Sequence, residues 1–276
     1  PIRLVLVGDQ AQLQPVGIGA PFHDVIDIMP DVVNTLTTCY RNKEAVFANA
    51  LRIRNGLSPD NSETRAEKFQ VVDVSSPEEA HEFIAKRVNG GDIDFSQDIV
   101  LAPRNGEGED PAPCTVKSLN ETIQSIVNPH RANERFLIGD RVMCVKNFPK
   151  DDMWNGTTGT VSRVDTDGRP FFAKDDGGDE VLLSQKEQVA NIVPAYCLTV
   201  HKSQGSQYRD VYIVVLKRDG AILMDRSMLY TAVTRAKEEL WILGEEQTIN
   251  RMIRSQYSET RRTALQIFLQ NKKDRT

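Results

Sequence analysis

Two short apolar runs, 195–198 and 211–216, are separated by a segment that is almost wholly polar: Thr199, His201, Lys202, Ser203, Gln204 and Gly205 open it. Runs this brief and this apolar read as strands buried on both faces, the kind that parallel sheets use. The carboxyl ends of such strands form the edge where open α/β sheets take ligands. Hydrogen-bond donors at that edge, ahead of a helical turn, suit phosphate in particular. The competing reading is a polar loop with no ligand.

The rest of the chain repeats the strand and helix alternation. Residues 2–7 read as a buried strand running into a Gly8-Asp9 turn, where Gly8 permits the bend and Asp9 caps it. Residues 22–29 read as a helix ending before Pro30, and 32–36 as a strand. Val46, Phe47, Ala50, Leu51 and Ile53 fall at helical spacing, and Asn55-Gly56 ends that helix. After a polar stretch at 59–67, residues 69–74 alternate like a strand. Ser76 then caps a helix running to 88, with Pro77 in its first turn and Glu79 at the capping-box distance. A strand at 98–102 leads through Pro103-Arg104-Asn105 and a glycine-bearing loop to a helix at about 113–127. A last strand is expected at 240–243, and a helical, packed tail at 245–272. This order argues an α/β fold with a parallel sheet covered on both faces.

Residues 136–190 change character. Asn155-Gly156, Asp167-Gly168 and Gly177-Gly178 mark tight turns between short strands at 161–164, 170–174 and 181–183. That pattern is a small all-β module with no room for a helix. It is an insertion, because the parallel pattern resumes at Tyr196.

Composition excludes several classes. No apolar run approaches the ~18 residues of a membrane span, and no signal peptide is visible. Cys39, Cys114, Cys144 and Cys197 are scattered without metal-ligand spacing, so reduced thiols and no metal site are expected. With a net charge of −5, a nucleic-acid site has to be a local basic groove. The chain begins at Pro1 on an apolar run and reads as a piece of a longer protein.

Four strings carry a resemblance to one family. Thr-Val-His-Lys-Ser-Gln-Gly-Ser-Gln at 199–207 resembles motif V of superfamily 1 helicases, in the form of the RecD, Pif1 and Dda-like branch. Gly-Asp-x-x-Gln-Leu-x-Pro-Val at 8–16 resembles motif III, Thr-Thr-Cys-Tyr-Arg-Asn at 37–42 motif IV, and Leu-Tyr-Thr-Ala-Val-Thr-Arg-Ala-Lys at 229–237 motif VI. Gly-Asp-Arg-Val-Met at 139–143, followed by Asn-Gly-x-x-Gly-x-Val at 155–161, resembles the start of the Src-homology-3-like insertion of RecD-type helicases. Thr38 stands where relatives often carry Gln, and Gln207 where they usually carry Glu. Tyr230, Val233 and Ala236 fall at helical spacing, which puts Thr231, Thr234 and Arg235 on other faces of that helix.

The resemblance implies a RecA-like parallel sheet domain with a small all-β barrel insertion. Residues 1–36 would end a first RecA-like domain. The second would occupy 37–147 and 191–276, with the insertion at 148–190 between them. The implied activity is ATP-dependent DNA unwinding with translocation on single-stranded DNA in the 5′-to-3′ direction. Arg235, Arg41 and Gln12 would act on the γ-phosphate, Arg235 as an arginine finger. Tyr40 would stack on adenine, and Asp9, Gly205 and Gln207 would complete the nucleotide site. Thr199, His201, Lys202, Arg104, Asn105 and Thr115 would hold DNA, with Asn120 approaching the same backbone. The phosphate-loop string G-x-x-x-x-G-K-[ST] and the acidic motif II do not occur in these residues, so the ligands of Mg²⁺ are expected in a preceding RecA-like domain. The chain alone is expected to be inactive. Replication or recombination proteins, and a cytoplasmic or nucleoid location, complete the implied setting. The alternatives are a DNA-binding remnant without catalysis and the helicase part of a larger relaxase or nuclease.

Overall fold

Side-chain alternation within the buried strands sets the architecture. The computed structural model describes residues 4–14, 17, 19–38, 42–60, 69–106, 112–130, 135–217, 224–255 and 264–273. Five strands form one parallel sheet: β1 (Phe69–Val72), β2 (Ile99–Ala102), β8 (Cys197–Thr199), β9 (Tyr208–Val214) and β10 (Ala236–Leu243), in the spatial order β1-β10-β9-β2-β8. Ile99, Leu101, Val211, Ile213 and Val215 point to one face, where α2 (Glu44–Arg54), α6 (Arg226–Val233) and α7 (Glu246–Arg254) cover them. Val100, Ala102, Tyr212, Val214 and Leu216 point to the other, under α3 (Pro77–Asn89) and α4 (Val116–Val127). A two-residue period with both faces apolar makes a central strand, and burying one such Ile, Leu or Val contributes roughly 1.5–3 kcal/mol.

Helix ends follow local chemistry. Ser76 caps α3 by accepting from Glu79 N at 3.1 Å, with Pro77 at the first position. The expected capping box is displaced by one residue: Glu79 accepts from Ser75 N and Ser75 Oγ, both at 2.8 Å, which holds its carboxyl below the usual range. Thr115 caps α4 through a reciprocal exchange with Ser118.

Between α4 and β8 lies a second sheet, fully antiparallel, in the order β6-β5-β4-β3-β7. Its strands are β3 (Arg141–Cys144), β4 (Thr158–Val164), β5 (Pro170–Lys174), β6 (Val181–Leu182) and β7 (Ile192–Pro194). It closes on its own core of Phe136, Val142, Cys144, Met153, Val161, Phe172, Leu183 and Ile192. Met143, between Val142 and Cys144, points the opposite way and joins the core of the parallel sheet. The paired strands run from 141 to 194, a wider span than 148–190, and β6 and β7 are the sheet's edges.

Several expectations are corrected. The insertion does hold a helix, α5 (Lys186–Ala190), because Gln185 and Gln188 cap each other across its first turn. Residues 4–7 form no strand: Leu4, Val5, Leu6 and Val7 are 80, 81, 51 and 91% exposed. An apolar run becomes a strand only beside a ladder partner, and none of the described strands pairs with it. The expected strand at 32–36 is absent too. Pro30–Val32 closes a 3₁₀ turn, and residues 33–38 have no regular structure. The segment after β8 is a series of turns and not a helix. The helix of 229–237 stops at Val233, so Ala236 begins β10 instead of completing a helical face. The tail is α7 followed by α8 (Ala264–Lys273), whose Ile267 and Phe268 are exposed and not packed. The helix expected at 22–29 is α1 (Pro21–Ile28). Among the described residues no helix is long and apolar enough to cross a membrane. Cys114, Cys144 and Cys197 are buried free thiols, while Cys39 lies outside the described residues.

Candidate functional site

Arg235 is where three distant segments meet. The α6 helix ends at Val233, and β10 starts at Ala236, so Arg235 occupies the link at the amino edge of the parallel sheet. Its backbone is fixed on both sides: Arg235 N donates to Ala232 O at 3.1 Å, and Tyr208 N donates to Arg235 O at 3.0 Å. The side chain is 4% exposed. A buried guanidinium is tolerable only when its N–H groups find acceptors. Nε donates to Thr231 O at 3.0 Å, Nη1 to Ser206 O at 3.2 Å, and Nη2 to Gln12 Oε1 and Thr234 Oγ1, both at 3.1 Å. Each of these acceptors is neutral. Gln12 comes from the 8–16 segment, Ser206 from the 199–207 segment and Thr231 from the 229–237 segment.

Further bonds tie the same segments. Leu13 N donates to Thr231 Oγ1 at 2.7 Å, and Gln204 Nε2 donates to Leu13 O at 3.4 Å. Asp9 builds its own turn by accepting from Ala11 N at 3.0 Å and from Gln12 Nε2 at 3.4 Å. The same carboxylate accepts from Tyr230 Oη at 2.9 Å. Burial, then the charge of Asp9, pushes the Tyr230 hydroxyl up to about 12, so it stays a donor. The positive charge of Arg54, the last residue of α2, opposes that rise. Asp9 and Gln12 are half-buried, so the cluster has one face open to a ligand.

A second set stands at the opposite, carboxyl edge. Thr199 ends β8 with its hydroxyl accepting from Lys202 N at 3.3 Å, and Ser203 N donates to Thr199 O at 3.1 Å. Those bonds turn the chain sharply and leave His201, Lys202, Gln204 and Gly205 exposed. Gly205 has φ +87°, the left-handed region that favours glycine. From there the chain runs back to Ser206 and Gln207 at the amino edge, where β9 starts. Arg104 and Asn105 follow β2, the neighbour of β8, and both are exposed. Their carbonyls accept from Val116 N at 2.9 Å and Lys117 N at 2.8 Å, which seats their loop on the start of α4.

The structure thus brings together Gln12, Asp9 and Arg235 at one edge, and Thr199, His201, Lys202, Arg104 and Asn105 at the other. Tyr40 and Arg41 lie outside the described residues. Thr115 is 4% exposed and its hydroxyl is engaged by Ser118 and Ala112, so it serves here as a helix cap. Asn120, expected to approach DNA, is instead 5% exposed and bonded to residues 196 and 197. Among the described residues no group of three His, Cys, Asp or Glu side chains is arranged to hold a metal ion. Arg54, Ser206 and Thr231 join the cluster without having been expected there. Ser206 and Thr231 lie inside the recognised strings, but nothing in sequence places Arg54 beside them.

Residues 194–243, which contain β8, the 199–207 segment, β9, α6 and β10, match the UvrD-like helicase C-terminal domain. The ATP-dependent RecD2 DNA helicase of Deinococcus radiodurans is 27% identical over 270 residues, covering 95% of this chain and 35% of that protein. The RecBCD enzyme subunit RecD of Mycobacterium tuberculosis is 26% identical over 269 residues, covering 91% of this chain and 46% of that subunit. The chain therefore spans less than half the length of these curated relatives. The Pif1 helicase of Bacteroides, solved with ADP-AlF3 and single-stranded DNA, aligns at a TM-score of 0.48 and 16% identity, over 87% of this chain and 56% of that one. In sequence the chain is similar to RecD-type helicases, and its residues 194–243 to the C-terminal domain of UvrD-like helicases.

Proposed function

We propose that this C-terminal part of a RecD/Pif1-like protein is the half of an ATP-dependent DNA helicase that senses the γ-phosphate and grips single-stranded DNA. The observation that carries the reading is the bond from Arg235 to Gln12, which joins the two γ-phosphate sensors implied by the resemblance. An arginine beside a Gln amide suits a γ-phosphate, whose transition state spreads negative charge over three equatorial oxygens. Arg235 is the arginine finger, Gln12 the sensor beside it, and Asp9 and Tyr230 hold the turn that presents Gln12. Gly205 and Gln207 border the nucleotide; Tyr40 stacks on adenine and Arg41 joins Arg235. Mg²⁺ is held by a preceding RecA-like domain, which also supplies the phosphate loop.

The coupling to DNA runs through one turn. Ser206 O is bonded to Arg235, and Thr199, His201 and Lys202 stand earlier in the same segment. A shift of Arg235 when the γ-phosphate arrives or leaves moves Ser206 and, through it, the exposed phosphate-gripping side chains. Arg104 and Asn105, one strand over, lie on the same edge and extend the track. Lys202 and Arg104 supply the charge, so binding is salt-dependent and sequence-tolerant. Translocation is 5′ to 3′. The Src-homology-3-like insertion (148–190) supplies β4, β5 and β6 of the antiparallel sheet, while β3 and β7 of that sheet come from the two stretches of the second RecA-like domain, 37–147 and 191–276. Residues 1–36 close the first. The setting is cytoplasmic or nucleoid-associated, with replication, recombination or repair proteins as partners.

A second reading, the helicase part of a larger nuclease or relaxase assembly, is favoured by the likeness to a protein named as a RecBCD subunit. It keeps the same site roles. A DNA-binding remnant is disfavoured, since it has no use for Gln12 and Arg235 in contact. Two measurements on the chain test the proposal. It should bind oligothymidine with an affinity that falls steeply with salt, and it should not hydrolyse ATP by itself. Salt-insensitive binding, or DNA-stimulated hydrolysis by the pure chain, contradicts it.

A further inference from the structure

A carboxylate at full burial stands where the two sheets join. Asp140 is 0% exposed, four residues after Phe136 and just ahead of β3. Among the described residues four donors converge on it. Gln124 Nε2 and Leu137 N reach Oδ2 at 3.0 and 2.8 Å, while Asn128 Nδ2 and Tyr196 Oη reach Oδ1 at 2.6 and 2.9 Å. Its backbone belongs to the antiparallel sheet, since Val161 N donates to Asp140 O at 2.9 Å. Its side chain belongs to the parallel-sheet domain, through α4 and the residue that precedes β8.

Helix α4 supplies the other half of the joint. Asn120 and Gln124 are four residues apart and line one stripe of the helix, and Asn128, the C-cap residue, follows four residues further on. Gln124 and Asn128 hold Asp140. Asn120 holds β8: its Oδ1 accepts from Tyr196 N at 3.0 Å and Cys197 N at 2.9 Å, and its Nδ2 donates to Cys197 O at 2.9 Å. β8 is an edge strand, so these backbone groups would otherwise face outward without a ladder. Tyr196 closes the circuit, bonded to Asn120 at its N–H and to Asp140 at its hydroxyl, with its ring edge-on to Phe95 at 5.0 Å. Ala195 N donates to Arg141 O at 2.9 Å, and Met143 reaches the parallel sheet's core, so apolar packing reinforces the bonds.

We infer that Asp140 is a positioning residue that locks the antiparallel sheet to the strand carrying the 199–205 turn, so that the sheet's placement sets the placement of that turn. The physical reason is the short path. From Tyr196 only Cys197 and Leu198 intervene before Thr199, and both bonded groups of Cys197 are clamped by α4. A buried carboxylate with several satisfied donors has one low-energy arrangement, because losing any donor in a low-dielectric site is costly. Any load on the insertion therefore reaches Thr199 through Asp140 and Tyr196, with no flexible link between. The inference deepens the helicase reading and rests on it for the meaning of the 199–205 turn as a DNA grip. The mechanical claim stands on the bonds alone.

Hydrogen exchange on the 276-residue chain separates the two. Tyr196→Phe deletes one hydroxyl and leaves the ring against Phe95. Asp140→Asn turns one acceptor into a donor at a point where donors converge. Removing a bond to a charged acceptor should speed exchange at 197–206 by about ten- to a hundredfold, while amides of β1 and β10 keep wild-type rates. Unchanged exchange at 197–206, or equal acceleration across β1, β10 and 197–206, overturns the inference, the latter by showing only general destabilisation. If Asp140→Asn does not fold, Tyr196→Phe and Asn128→Ala give the same comparison. Binding of a fluorescent oligothymidine is the second readout. Faster exchange at 197–206 with several-fold weaker binding supports the inference, and faster exchange with unchanged binding overturns the link to the grip. A wild-type chain that binds no oligonucleotide contradicts the helicase reading, while the exchange rates still decide whether the joint exists.

Discussion

If Arg235 organises the amino-edge cluster, its removal should be felt in stability before any ligand is added. Arg235→Ala deletes the donors of four hydrogen bonds, to Thr231 O, Ser206 O, Gln12 Oε1 and Thr234 Oγ1. The four losses do not sum. Thr231 O keeps a bond from Thr234 Oγ1 at 2.9 Å, and Gln12, Ser206 and Thr234 are half-exposed and regain water. Against this, the variant no longer buries a charge. Counting the lost bonds to Ser206 and Gln12 at ~1.5 kcal/mol each, with modest relief from desolvation, gives a loss of about 2–3 kcal/mol. For a chain of this size that is a fall in melting temperature of roughly 5–10 °C. Gln12→Ala removes one partner and should cost about 1 kcal/mol. Urea unfolding of wild type, both single variants and the double variant closes the cycle. The Arg235–Gln12 coupling should be on the order of 1 kcal/mol, above the ~0.3–0.5 kcal/mol within which independent sites add. Additive losses would mean that the two side chains do not meet in solution, and the convergence of the three segments would be wrong.

Other outcomes follow from individual groups. Asp210 is 8% exposed, and burial, then the charges of Asp98 and Glu239, push its carboxyl from 3.8 up to about 6. The folded state therefore holds a proton that the unfolded chain releases, and this stabilisation, about 3 kcal/mol, is present below ~pH 4 and lost as pH rises through ~6. Asp210→Asn should gain on wild type between about pH 4 and about pH 6 in denaturant titrations, and a pH-independent difference contradicts the assignment. Lys202→Ala should reduce the slope of log affinity against log salt for oligothymidine by roughly 0.7, the share of one phosphate contact on a single strand; an unchanged slope removes Lys202 from the track. Ser76→Ala should lower stability by about 1 kcal/mol through loss of the α3 cap, measured by thermal unfolding, and no change would mean that water replaces the hydroxyl.

What the sequence disclosed was whatever local pattern dictates. The short apolar runs at 98–102 and 211–216 marked doubly covered parallel strands, and the Asn-Gly and Gly-Gly pairs marked turns of the inserted sheet. Ser76 and Asn55-Gly56 marked real helix ends. Sequence and structure part where a partner far along the chain decides. Residues 4–7 are apolar enough for a strand, but apolarity does not provide a neighbour. The helical spacing of Tyr230, Val233 and Ala236 suggests a longer helix, yet the ladder between Ala236 and Tyr208 ends it and sends Arg235 inward to Gln12. The resemblance puts Thr115 against DNA; its reciprocal bond with Ser118, visible in local sequence, makes it a helix cap. Asn120 is out of reach for such reasoning altogether. Its spacing with Gln124 and Asn128 is visible, but nothing in sequence says that a buried carboxylate and an edge strand lie opposite.

The most direct test of the central claim is the rate of ATP hydrolysis with saturating single-stranded DNA, in the longer protein that carries this chain, with Arg235 intact and replaced by Ala. The account predicts near-normal ATP binding and a kcat reduced on the order of 10³-fold or more, the range expected when a finger on the γ-phosphate is lost. A folded variant with wild-type turnover would contradict it and return Arg235 to a structural bond between α6 and β9.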